Sequence, residues 1–135
     1  MEEKIYESDI VSWSFFKEDR LAYITWKNSA DSAEYRNIFN SIIEFSNKNQ
    51  VNYVLSDMRK EGLVQTEDLK WLESEILNKA DEHGVLKIAL ISEDTIFSNI
   101  YAETIKRKLR ESPIEVGIYQ DVASARAWLL VEKNT

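Results

Sequence analysis

Four polar side chains stand where a layered α/β sheet presents groups to a ligand. Asp57 and Arg59 follow the apolar run at 51–56, and Ser92 and Asp94 follow the apolar run at 87–91. Ligands of open α/β sheets collect at the C-terminal ends of the strands, so these four are the candidate ligand site. In a small α/β enzyme they would have to converge on one substrate within hydrogen-bond reach. The competing reading is that they cap turns and helices. An aspartate with neither metal partners nor a nucleophile beside it does not make an enzyme.

Other chemistry is thinner. His83 is the only histidine, so histidine metal pairs are excluded, and a triad would need partners from far along the chain. Cysteine is absent, which excludes disulfides, zinc–thiolate sites and thiol catalysis. Glu67, Asp68, Glu73 and Glu75 are spread around one predicted helix, which points to a solvated surface and not a cation site. Lys106, Arg107, Lys108 and Arg110 end another, where cations complement the helix dipole. No interleaved aromatics accompany them, as a nucleic-acid patch would require. There is no glycine-rich phosphate loop and no nucleophile elbow.

The elements that must position these groups follow from periodicity. Residues 3–7 and 10–16 read as strands, with Val11, Trp13 and Phe15 on one face of the second. A short polar loop at 17–20 leads into a strand at 21–26. Asp31 or Ser32 caps a helix whose buried face carries Tyr35, Ile38, Phe39, Ile42 and Phe45. Strand 51–56 is apolar on both sides, the mark of a central strand, and strand 87–91 reads the same way. The connecting helices are long enough to make the later strands parallel.

A helix begins near Thr66, whose hydroxyl suits an N-cap, and buries Leu69, Leu72, Ile76 and Ala80. Trp71 lies about 200° from Leu69 at about 100° per residue, so it points off that stripe. Gly84 ends the helix in a left-handed conformation. Residues 92–95 cap a third helix carrying Phe97, Ile100, Tyr101 and Ile105. Pro113 blocks its extension. A half-exposed strand holds Ile114, Val116 and Ile118. A last helix, capped by Asp121, turns Val122, Ala125 and Leu129 inward, and residues 132–135 are expected to fray. Trp128 also falls off its helix's stripe. With Trp13, these tryptophans are candidates for an interface, where large aromatics are enriched.

Length and composition set the frame. The chain has 135 residues, 44% hydrophobic and 30% charged, with three glycines and one proline, as expected of one globular domain spanning 1–135. Twenty-four acids against seventeen bases leave a charge of −7, which disfavours nucleic acid and anionic lipid. No apolar run approaches the roughly 20 residues needed to span a bilayer, and the N-terminus lacks a secretory core. A cytoplasmic location is expected. The fold class expected is α/β, with antiparallel strands first and a largely parallel second half of βα units.

From Leu21 onward this order resembles the STAS-like, or SpoIIAA-like, family. That family includes anti-sigma-factor antagonists and cytosolic domains of sulfate transporters, and small stand-alone bacterial members look closest. The likeness rests on Tyr53-Val54-Leu55-Ser56-Asp57-Met58-Arg59 and on Thr66-Glu67-Asp68-Leu69-Lys70-Trp71-Leu72. It continues in Lys87-Ile88-Ala89-Leu90-Ile91 and in Val116-Gly117-Ile118-Tyr119-Gln120-Asp121 with Ala125, Ala127, Trp128 and Leu129. The resemblance implies a non-enzymatic regulatory module that acts through a protein partner, needs no cofactor and takes a small apolar ligand. A homodimer through Trp71 and Trp128 is also compatible with it. Antagonist domains switch on a serine at the start of the helix after the central strand, followed closely by glycine. Here Thr66 stands at that place as a phosphorylation candidate. No glycine follows it, and Glu67 and Asp68 would repel a phosphate that the helix N-terminus only partly favours.

Overall fold

A computed structural model describes residues 2–131 of this chain, and the fraying expected of 132–135 falls outside them. β1 (Glu2–Glu7), β2 (Val11–Phe16) and β3 (Leu21–Trp26) form an antiparallel meander. α1 (Ser32–Ser46) then carries the chain to β4 (Tyr53–Asp57), which pairs parallel with β3. α2 (Thr66–Trp71), a π-helical turn (Leu72–Ile76) and α3 (Leu77–Glu82) follow in one run and lead to β5 (Lys87–Ile91). α4 (Ile96–Lys108), β6 (Glu115–Tyr119) and α5 (Val122–Leu130) complete the order. The six strands lie in sequence order, mixed in direction, with β4 and β5 as parallel neighbours inside the sheet.

Alternation decides which residues face which layer. Val11, Trp13, Ala22, Ile24 and Trp26 face α1. Ile88 and Leu90 meet the π turn, α3 and α4 on the same side. Among the described residues, the other face is covered by α5 alone, which packs Ala125 and Leu129 on Leu21, Tyr53, Leu55, Ala89 and Ile91. Burying both faces of β4 and β5 accounts for their unbroken apolar pattern.

Of the tryptophans expected at an interface, Trp13 is internal, and Trp71 and Trp128 are half-buried. Trp13 is fully buried, meets Phe45 edge-on at 5.2 Å and donates its indole N–H to Ser41 Oγ. Trp71 is half-buried against Phe39 on α1, with the Arg36 guanidinium 5.2 Å above its ring. Trp128 lies across β6, where Gly117 leaves room for it: a Cβ there would come 3.1 Å from the indole and 2.7 Å from the Tyr119 ring. The Lys87 ammonium sits 4.7 Å over the same indole.

The π turn inserts an extra residue into the helical register, so Leu72, Ile76 and Leu77 all reach the core while Leu69 is only partly covered. Asp68 departs from its expected place on a solvated face. It is buried and accepts hydrogen bonds from Ser32 Oγ at 2.7 Å and Arg36 Nε at 3.0 Å, tying α1 to α2. Glu67 and Glu75 are exposed and Glu73 is half-buried. His83 closes α3, its Nδ1 2.7 Å from Ser46 Oγ.

Candidate functional site

The C-terminal ends of β4 and β5 open into a cavity of about 360 Å³ between the 58–66 loop and the start of α4. The ladder runs one step beyond β4, because the Met58 amide donates to the Ile91 carbonyl at 2.9 Å. The chain then turns sharply, with the Glu61 amide on the Met58 carbonyl. Gly62 adopts a φ of +75°, and a Cβ there would come 2.1 Å from Ser29 Oγ. Glycine alone suits both the left-handed backbone and the close approach. Gly62→Ala is therefore expected to cost about 1–3 kcal/mol and to reshape the turn that holds Glu61. A urea unfolding midpoint unchanged from wild type would rule out that strain.

Glu61 is the unusual member of this site. Its side chain is buried, and Oε2 has no hydrogen-bond partner. Burial raises its carboxyl to about 8, so it is largely protonated at neutral pH. Nearby, the Tyr35 and Tyr101 hydroxyls bond each other at 2.7 Å. Burial raises both phenols well above their usual range, and the Glu61 charge adds to this. Met58, Val64, Leu69 and Tyr101 supply apolar wall. The outer wall is apolar and wet: Leu63 is 63% exposed, Phe97 63% and Ile100 58%, with Ile96 beside them at 75%.

The four candidate ligand groups hydrogen-bond in two sets. Asp57 and Arg59 clamp each other through two bonds, Nε–Oδ1 at 2.9 Å and Nη2–Oδ2 at 2.7 Å. Arg59 also lines the cavity. Ser92 Oγ pairs with Ser98 Oγ at 2.6 Å and accepts from the Asp94 amide. Asp94 accepts from Asn99 Nδ2 at 2.9 Å while holding a φ of 62°. Ser92 and Asp94 thus shape the turn before α4, whose N-cap is Thr95.

Thr66 is exposed on the cavity rim, but Gln65 occupies the N-cap position, without a side-chain bond, and Thr66 is the first helical residue. Lys106, Arg107 and Lys108 are exposed in the last turn of α4, with Arg110 just beyond it. Among the described residues, no group of three or more His, Cys, Asp or Glu side chains is placed to hold a metal. No described helix is long and apolar enough to cross a membrane.

Sequence reasoning missed Glu61, Tyr35 and Tyr101 as site residues. An acid before glycine in a polar turn reads as solvated. The usable signal was the two tyrosines on inward helix faces, because buried phenols need partners for their hydroxyls.

Fold and cavity together define the class: a mixed-sheet α/β protein with an apolar-mouthed pocket at its strand ends. No protein-family model, no curated protein and no solved structure matches the chain.

Proposed function

We propose that this chain is a non-enzymatic binding module of the STAS-like, SpoIIAA-like type. A small ligand with an apolar body occupies the cavity at the ends of β4 and β5, and a protein partner meets the rim around it. The observation that carries this reading is the wet apolar mouth formed by Leu63, Phe97 and Ile100, beside a cavity of about 360 Å³. That size lies in the range of small-molecule sites, about 300–1,000 Å³. The antiparallel-then-parallel order of strands and the motif Tyr53–Asp57 with Met58 and Arg59 support the family reading.

The partner has a stated chemistry: an apolar anchor flanked by basic groups. Glu93 lines the cavity, and the exposed Glu67 and Asp94 adjoin its lining residues Thr66 and Glu93 in sequence, so a second copy of the chain would bring like charges together. A phosphate on Thr66 would change the charge of this same surface. Asp68 is turned away to Ser32 and Arg36, so Glu67 is the exposed acid beside it.

The test replaces two rim residues. Phe97→Ser with Ile100→Ser, shown folded by circular dichroism, is expected to lose at least tenfold in affinity for a partner retained by the wild-type protein from native lysate. Equal retention by wild type and variant would remove the rim from the interface. Sedimentation of the wild type at high concentration is expected to show a monomer, and a dimer abolished by the double variant would assign the rim to self-association.

A further inference from the structure

We propose that the cavity binds a small organic cation, an amine carrying an apolar body, whose ammonium docks on the Glu61 carboxylate. The inference rests on the binding-module reading and adds the chemistry of the ligand.

Three observations converge. Glu61 is buried and lines the cavity, its Oε2 has no partner from the protein, and a buried carboxyl without a partner is costly. A group that enters the cavity meets Glu61 in its wall. The walls around it are Met58, Leu63, Val64, Leu69, Phe97 and Ile100, which suit a hydrocarbon or aromatic body. The charges at the site favour a cation. Arg59 is the one cationic residue among those lining the cavity, and Asp57 already holds its guanidinium through two bonds. Glu93 adds a second acid at the mouth. An anionic ligand would meet the Glu93 charge with no free counter-charge. A neutral carbonyl compound could accept a proton-mediated bond from Glu61 but would gain nothing from Glu93.

The groups facing Glu61 leave it as the titrating member. Tyr35 on α1 and Tyr101 on α4 are held well above the usual phenol range by burial, so both stay neutral near pH 7. Asp68 on α2 acts on Tyr35 and is itself paired with Arg36. Arg59 and Glu93 stand at the mouth. Because the empty site holds a proton on Glu61 up to about pH 8, a cation must displace that proton to bind. Amine affinity therefore rises with pH, whereas a ligand that accepts a hydrogen bond from protonated Glu61 would bind more weakly as pH rises.

The experiment titrates the whole chain by calorimetry with three isosteric probes: 2-phenylethylamine, 2-phenylethanol and phenylacetate. The amine is expected to bind about 20-fold more tightly at pH 8.5 than at pH 6.5. In buffers of different ionisation enthalpy it should release close to one proton at the lower pH. The alcohol should bind more weakly than the amine at pH 8.5, and phenylacetate should not bind. Glu61→Gln should abolish the pH slope and the preference for the amine. The wild-type proton release stands as evidence even if that variant folds poorly. A pH-independent amine, or alcohol or phenylacetate binding as tightly as the amine, overturns the cation assignment and leaves the pocket reading standing. No saturable binding of any probe up to about 10 mM overturns both.

Discussion

Wild-type protein is expected to lose about 5 kcal/mol of stability, relative to Glu61→Gln, as pH rises from about 4.5 to about 8. The cause is the buried carboxyl, which titrates at about 8 in the folded chain against 4.5 in the absence of burial. Below pH 4.5 Glu61 is protonated in both the folded and the unfolded chain and contributes no pH dependence. Between these values the unfolded chain releases its proton while the folded chain keeps it, so stability falls by about 1.4 kcal/mol per pH unit. Above pH 8 both states are ionised and the loss levels off. Glutamine keeps the shape and cannot titrate, so subtracting its urea-unfolding curve removes the contributions of other carboxylates. A difference that stays flat across this range would place Glu61 in water and remove the buried acid from the site.

Trp26→Ala is expected to destabilise the protein by about 3–5 kcal/mol. Trp26 is fully buried between the sheet and α1, stacked on Tyr35 with ring centroids 5.6 Å apart. Its indole N–H donates to Ser56 Oγ at 3.2 Å, a bond inside the core. Alanine leaves a cavity and strands the Ser56 hydroxyl. Trp26→Phe keeps most of the volume and isolates the lost hydrogen bond, at about 1–3 kcal/mol. The site feels the change through Tyr35, whose hydroxyl holds Tyr101 in the cavity wall. Chemical denaturation measures both variants. A loss below about 1 kcal/mol for alanine would mean that the sheet beneath α1 can collapse around the gap.

The two large effects fall on residues of opposite legibility. Trp26 sits in a strand whose alternation already places it opposite Tyr23 and Thr25. Glu61 sits in a polar turn, with nothing local to mark it as buried. The same contrast holds for the candidate ligand groups. Asp57 and Arg59 were legible as strand-end residues, and they do stand at that edge. Their mutual clamp was not, because it depends on how the turn after β4 folds back. Thr66 was legible as a helix-start residue, but the choice between Gln65 and Thr66 for the cap is set by the backbone entering the helix, which propensity resolves poorly. Trp71 and Trp128 were legible as departures from their helical stripes. Where those side chains go was settled by a neighbouring helix for one and by the missing side chain of Gly117 for the other.

By itself the sequence determined the strand and helix types, their order and the central place of β4 and β5. Apolar periodicity is a local property, and burial on one face or two leaves its mark residue by residue. Only the tertiary structure decided which polar groups lose their water. Asp68 and Glu61 are both acids near the start of one helical run, yet Asp68 accepts hydrogen bonds from Ser32 and Arg36 while Glu61 Oε2 is left without a partner. For Asp68 the partners lie more than thirty positions away, and no window of sequence contains them.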